Sequence, residues 1–210
     1  MDKYQDLCSR VDTIITNKRY RLQTEQDDNG TYIFNIYDNE IPITNLQISN
    51  TTGTIIQGIT RESNKNQLED VPLFHINWVS TDPKYSGQNL ASLIIIYGIC
   101  NLKQKFPEIN YVTLDDDSAR SSYIEKNVYT SLGFTFRDTI EMDMERPKRL
   151  KMSGPEKQLL LDDNFIEKAK NKIGIAGGKR KTRKRKTIKS KSRKTKRNKS
   201  KSRKRTKRRL

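Results

Sequence analysis

Along residues 31–38 apolar and polar side chains alternate with a period of two. Tyr32, Phe34 and Ile36 fall on one face and Ile33, Asn35 and Tyr37 on the other, the signature of a half-buried β-strand. The turn signal Asp28-Asn29-Gly30 separates it from a candidate first strand at 19–24. Residues 43–49 and 54–60 flank Asn50-Thr51-Thr52-Gly53 and predict a hairpin turning there. A polar loop over 61–72 leads to a central strand at 73–82, rich in apolar and β-branched residues. At Asn89 the period changes. Leu90, Leu93, Ile94, Tyr97 and Ile99 to Leu102 recur at helical spacing until Pro107, which predicts a helix over about 89–106. A strand at 111–117, a short helix at 127–134 closed by Gly133, and a last long strand at 134–144 follow. Ser153 and Glu156 form a capping-box pattern with Pro155 in the first turn, so residues 153–172 read as an amphipathic helix. A meander followed by strand, helix, strand, helix, strand implies an α/β (α+β) domain whose sheet is mixed, with parallel strands joined through the 89–106 helix.

Charge divides the chain. Residues 179–210 hold 21 of the 42 Lys and Arg and no acid, which leaves 21 basic against 25 acidic residues, a net charge of −4, for residues 1–178. The last stretch has only Ile188 and Leu210 as sizeable apolar residues, too few to offset the entropy of ordering, so a disordered Lys/Arg-rich tail is expected over 177–210 behind the Gly177-Gly178 pair. The remainder reads as a domain over 1–150 and an amphipathic helix with linker over 151–176. Cys8 and Cys100 belong to no Cys-x-x-Cys or His/Cys cluster, so neither a disulfide framework nor a metal site is expected. The first ten residues carry no apolar leader, and the run from Leu90 to Cys100 is too short to span a bilayer. These features predict a soluble intracellular protein, cytoplasmic or nuclear, without a membrane partner.

The candidate chemistry lies at the start of the 89–106 helix. A strand-to-helix turn offers unpaired N–H groups at the positive end of a helix dipole, which suits a pyrophosphate, and Gly87 removes a side chain that would stand in its way. A glycine in such a loop is also common where nothing binds. The turn Pro83-Lys84-Tyr85-Ser86-Gly87-Gln88-Asn89-Leu90-Ala91 and the later Val128-Tyr129-Thr130-Ser131-Leu132-Gly133-Phe134 together resemble the GNAT (Gcn5-related N-acetyltransferase) superfamily. Pro83, Tyr85, Gly87 and Ala91 keep step with that family's coenzyme loop, while Ser86 stands where Arg or Gln is usual and Asn89 where the central Gly is usual. The second segment matches the family's Leu-Tyr-x-x-Leu-Gly-Phe helix with Val128 for Leu. The Asn and Ala that often precede its Tyr are here Ser122 and Glu125. The absence of long segments between the first two strands, with the basic tail, is similar to GNAT-type proteins of large DNA viruses; in that setting the protein could be virion-associated.

The resemblance implies a mostly antiparallel sheet with a parallel splayed pair, flanking helices, and acetyl-CoA as co-substrate with no metal. Its coenzyme contacts would be Val79, Ser80, Thr81, Tyr85, Ser86, Gly87, Gln88, Asn89, Leu90 and Ala91. Tyr129 falls where family members place a Tyr that protonates the departing thiolate; packing beneath the helix is the other reading of that ring. His75, Asn77 and Asp115 to Asp117 are the polar groups from which a general base would come, though a strand His is commonly a hydrogen-bonded structural residue and an acidic run at a strand end a solvated turn. The implied activity is acetyl transfer to a primary amine. The tail, through residues 179–210, is expected to bind DNA or RNA without sequence preference. The competing expectation is a GNAT-like scaffold without turnover that binds or packages nucleic acid, as the departures at Ser86 and Asn89 suggest.

Overall fold

The computed structural model describes residues 2–57, 67–116, 127–136 and 156–177. The described elements are, in order, helix α1 (Lys3–Asn17), strands β1 (Tyr20–Gln26), β2 (Tyr32–Asp38), β3 (Ile41–Gln57) and β4 (Gln67–Thr81), a 3₁₀ turn (Pro83–Tyr85), helix α2 (Leu90–Lys105), β5 (Tyr111–Asp115), α3 (Val128–Leu132), β6 (Thr135–Phe136), β7 (Glu156–Leu160) and α4 (Asp163–Gly177). The strands form a seven-stranded sheet in the order β1-β2-β3-β4-β5-β7-β6. Every pairing is antiparallel except β4 with β5. The expected fold class, a mixed, mostly antiparallel sheet with a parallel pair and flanking helices, is the one observed.

The parallel pair shapes the site. It spans only Phe74↔Val112, His75↔Thr113 and Ile76↔Leu114, after which β4 runs on to Thr81 with no partner from β5 among the described residues. A bulge lies at the same level, where Gln47 pairs with Trp78 and Ile48 with Ile76, so Asn77 is the extra residue. Bulges bend a strand and sharpen its twist, and here the bend falls where β4 and β5 part.

Helix α2 fills the space over the sheet. Leu90, Leu93, Ile94, Ile95, Ile96, Ile99, Cys100 and Leu102 are all buried, as expected of a helix covered on most sides. Gly98 permits its close approach: a Cβ there would stand 2.6 Å from Leu46 Cδ2 and 3.2 Å from Ile48 Cδ1 and Phe34 Cδ2. At its far end, Lys103 Nζ donates to the Pro107 and Ile109 carbonyls and to Asn110 Oδ1, at 2.5, 2.7 and 2.8 Å. Burial lowers the Lys103 pKa. Helix α1 lies against α2 through Leu7, Val11 and Ile15, an i, i+4, i+8 stripe, and α4 adds Phe165, Ile166, Ala169 and Ile173 to the same core. Cys8 and Cys100 are both free thiols; the Cys8 thiol donates to the Tyr97 carbonyl at 3.6 Å.

Three expectations about elements change. The hairpin expected at Asn50–Gly53 is absent, because β3 runs through that segment and pairs Thr51, Thr52 and Gly53 with Leu73, Pro72 and Val71 of β4. Two successive β-branched threonines fit a strand, and Gly53 lacks the positive φ of a tight hairpin turn. The polar loop expected over 61–72 gives its last six residues to β4. The third change concerns the capping box. Glu156–Leu160 is strand β7, paired with β5 and β6, with Lys157 and Leu159 pointing inward and Leu160 outward. The helix starts at Asp163 instead, where Asp162 Oδ1 accepts from Phe165 N at 2.9 Å. Beyond Phe136, the strand expected over 134–144 lies outside the described residues, as do Asp117 and the basic tail. No described helix is long and apolar enough to cross a membrane.

Candidate active site

Beyond the end of β4 at Thr81, the chain turns over the 3₁₀ segment into α2. Asp82 opens this turn as a cap, its Oδ1 accepting from Lys84 N at 2.8 Å. Gly87 takes φ +78 and Asn89 φ +67, the left-handed region that glycine enters freely and asparagine tolerates best among the others. Around a Cβ built on Gly87 there is no atom within 4 Å beyond its chain neighbours, so nothing else in the fold calls for the missing side chain except its φ.

Asn89 does not cap the helix it precedes. Its Oδ1 accepts from Ser92 Oγ at 3.0 Å and its Nδ2 donates to the Lys172 carbonyl of α4 at 3.5 Å. In consequence the first turn of α2 keeps the orphan donors that every helix start has. Among the described residues, the N–H groups of Gly87, Asn89, Leu90 and Ala91 have no hydrogen-bond acceptor. These donors border a cleft of about 260 Å³ lined by Thr81, Tyr85, Ser86, Gly87, Asn89, Leu90, Ala91, Ser92 and Val128. The cleft thus joins the end of β4, the glycine turn, the head of α2 and the head of α3.

The turn is braced from the sheet. Tyr85 donates its hydroxyl to Asp38 Oδ2 at 2.7 Å, Tyr20 donates to Gln88 Oε1 at 3.1 Å, and the two rings meet edge to face at 6.2 Å. The Tyr85 phenol is pushed up to about 12, first by its bond to the Asp38 carboxylate and then by burial. Because that value lies above the ordinary 10, the brace is complete below pH 10 and is lost only as pH rises through about 12. Lys84 is the one cation on the 82–91 turn, so the electropositive character of the cleft comes mainly from backbone N–H groups and the helix dipole.

Helix α3 opens on the same cleft through Val128. Its N-cap is Asn127, whose Oδ1 accepts from Thr130 N at 2.9 Å, and it closes at Gly133 with φ +104. Tyr129 is partly buried, packs edge to face on Phe134 at 5.9 Å, and is not among the cleft-lining residues, although its neighbour Val128 is.

Of the ten expected coenzyme contacts, Thr81, Tyr85, Ser86, Gly87, Asn89, Leu90 and Ala91 line the cleft, whereas Val79, Ser80 and Gln88 do not. Ser92 and Val128 line it as well, and Asp38 and Tyr20 brace its loop. The helical spacing places Ser92 one turn inside α2 beside Asn89, a signal that was legible. Asp38 is brought to Tyr85 only by the register of the sheet. The base candidates stand elsewhere: His75 Nδ1 lies 3.0 Å from Thr113 Oγ1 between β4 and β5, and Asp115 is exposed at the end of its strand. Asn77 donates to Ser49 Oγ. Among the described residues no group of three or more His, Cys, Asp or Glu could hold a metal ion.

No protein-family model and no curated protein matches the chain. Solved structures similar to it include a bacterial toxin, at 14% identity over 65% of this chain and 71% of that one with a TM-score of 0.44. The ribosomal-protein-S18-alanine N-acetyltransferase from Escherichia coli is similar at 14% identity over 65% and 72% of the two chains, with a TM-score of 0.39. A GNAT family N-acetyltransferase (YhbS) from Escherichia coli in complex with CoA is similar at 17% identity over 77% and 71%, also at 0.39.

Proposed function

We propose that this chain, with its GNAT-like fold, is an acetyl-CoA-dependent N-acetyltransferase that passes an acetyl group to a primary amine. One observation carries the reading: the unpaired N–H groups of Gly87, Asn89, Leu90 and Ala91, with open space over Gly87, border a cleft that reaches the end of β4, beyond its last residue paired with β5. The first feature suits a pyrophosphate and the second an extended thiol arm. Gly87, Asn89, Leu90 and Ala91 would hold the phosphates, and the stretch of β4 from Val79 to Thr81, which pairs with β3 but not with β5, would bond the pantetheine along its β5 side.

The amine nitrogen attacks the thioester carbonyl, the carbon–sulfur bond breaks, and the thiolate takes up a proton. Tyr129, next to the cleft-lining Val128, is the candidate donor of that proton. His75 already meets a hydroxyl and Asp115 faces solvent, so the proton from the amine is assigned to water rather than to either. Acetyl-CoA incubated with polyamines and Lys-rich peptides, with products read by mass, tests the activity. A thiolate leaves readily, so Tyr129→Phe is expected to lower kcat by about a hundredfold, the low end for a general acid, without changing acetyl-CoA affinity. An undiminished kcat would remove Tyr129 from the mechanism.

The second part of the reading concerns residues 179–210. With 21 basic side chains and no acid, this segment would displace counterions from DNA or RNA. It has no aromatic residue to stack on bases, so the affinity should be indifferent to sequence. Filter binding of unrelated duplexes across a salt series checks this, with a steep, sequence-independent fall expected and a shallow one contradicting it. Departures from the family pattern at Ser86 and Asn89 favour the alternative, a scaffold that binds nucleic acid without turnover. Nucleic-acid binding by a folded protein that neither binds nor consumes acetyl-CoA would establish that alternative.

A further inference from the structure

A second group of charges lies behind α3, away from the cleft. Asp116, the residue after β5, is fully buried, Lys157 of β7 is 1% exposed, and Nζ meets Asp116 Oδ2 at 2.6 Å. The same carboxylate oxygen accepts from Asn127 Nδ2. Asn127 Oδ1 in turn accepts from Thr130 N and from Thr130 Oγ1, at 2.9 and 3.0 Å, and Lys157 Nζ reaches Thr130 Oγ1 at 3.4 Å. The bonds therefore close a ring through the end of β5, the start of β7 and the first turn of α3. Lys157 Nζ also stands 5.9 Å from the centre of the Tyr129 ring.

A buried ion pair is a poor source of net stability, since desolvation consumes most of the attraction; its directional bonds are its distinctive contribution. Helix α3 needs such direction. At five residues it is too short to persist by its own hydrogen bonds, and its placement must come from outside anchors. Leu132 supplies one, in the core, and the ring of bonds supplies another at the end that carries Val128 and Tyr129, whose side chains also pack against that core.

The geometry points to Lys157 and Asp116 as positioning residues for Tyr129: their buried pair fixes the first turn of α3 against β5 and β7, and so sets where the phenol stands relative to the coenzyme cleft. This rests on the acetyltransferase reading of that cleft. Neither residue touches the cleft, and neither takes or gives a proton in the reaction.

The test replaces both charges in the full-length protein. Asp116→Asn with Lys157→Met neutralises both partners while leaving an acceptor for Asn127. The chain is labelled with 3-fluorotyrosine, and the Tyr129 fluorine resonance is assigned by its loss in Tyr129→Phe. The expected result is a folded double variant that binds acetyl-CoA within about threefold of the parent, while the Tyr129 line shifts or broadens and kcat falls by about tenfold or more with little change in KM. An unchanged Tyr129 line in the folded double variant overturns the proposal, whatever happens to kcat. Should the double variant not fold, Thr130→Val breaks two of the bonds without touching a charge, and the same line decides. A line that moves in a protein whose parent shows no turnover would leave the positioning role standing and remove the acetyltransferase reading.

Discussion

Replacing Lys157 alone by Met should destabilise the fold by about 3–5 kcal/mol, because the fully buried Asp116 carboxylate would lose the cation that stands 2.6 Å away and keep its charge. Methionine matches the lysine stem in length and bulk, so the loss isolates the charge rather than a cavity. Against a typical net stability of about 5–15 kcal/mol the change is large enough to lower a urea midpoint by about a fifth or more. Adding Asp116→Asn should recover most of it, since neutralising both partners removes the unpaired charge. Equilibrium urea unfolding of the three proteins checks both steps. A midpoint unmoved by Lys157→Met would mean that the carboxylate is held by its other bonds, and the ring around α3 would lose its centre.

The second large effect is expected at Gly87. A valine there must adopt φ +78, which costs a β-branched residue about 1–2 kcal/mol of strain, yet beyond its chain neighbours no protein atom lies within 4 Å of its Cβ. The fold should therefore survive the change. The methyl groups would instead project into the space over the unpaired N–H groups of Asn89, Leu90 and Ala91. If that space is where a pyrophosphate sits, acetyl-CoA binding should weaken by at least about a hundredfold, roughly 2.7 kcal/mol. Thermal unfolding measured beside the binding separates the two consequences. Equal affinity in parent and variant would make Gly87 a turn glycine and nothing more.

The parts of the fold that could be read from the chain are those whose signals are local. Strand β2, the bulk of α2 and the short α3 carry their period and their end signals within their own residues: alternation at Tyr32, Phe34 and Ile36, Pro107 beyond α2, Gly133 behind α3. What escaped depends on partners distant in sequence. Lys157 marks Glu156–Leu160 as solvent-facing until Asp116 is brought opposite it, and only then does β7 outcompete a helix with a good capping pattern. Helix α1 carries a thin stripe of Leu7, Val11 and Ile15 between polar residues and is held by α2. The continuity of β3 through Asn50–Gly53 depends on β4 pairing with every residue of it.

The site divides in the same way. Gly87, Asn89 and the head of α2 were legible because a left-handed turn before an apolar helix is a local pattern. Tyr85 was legible as part of that turn, but its bond to Asp38 was not, because β2 meets the turn only through the sheet register. Tyr129 could be placed on α3, yet the residues that hold α3 in position come from β5 and β7.

The central claim is that the turn at the head of α2 cradles the phosphates of acetyl-CoA. It is tested most directly by calorimetric titration of the full-length protein with acetyl-CoA, using Gly87→Val as the reference so that any attraction to the basic tail is the same in both. The account expects saturable binding with one site per chain in the parent and its loss in the folded variant. The same heat in both proteins, or none in either, would contradict it.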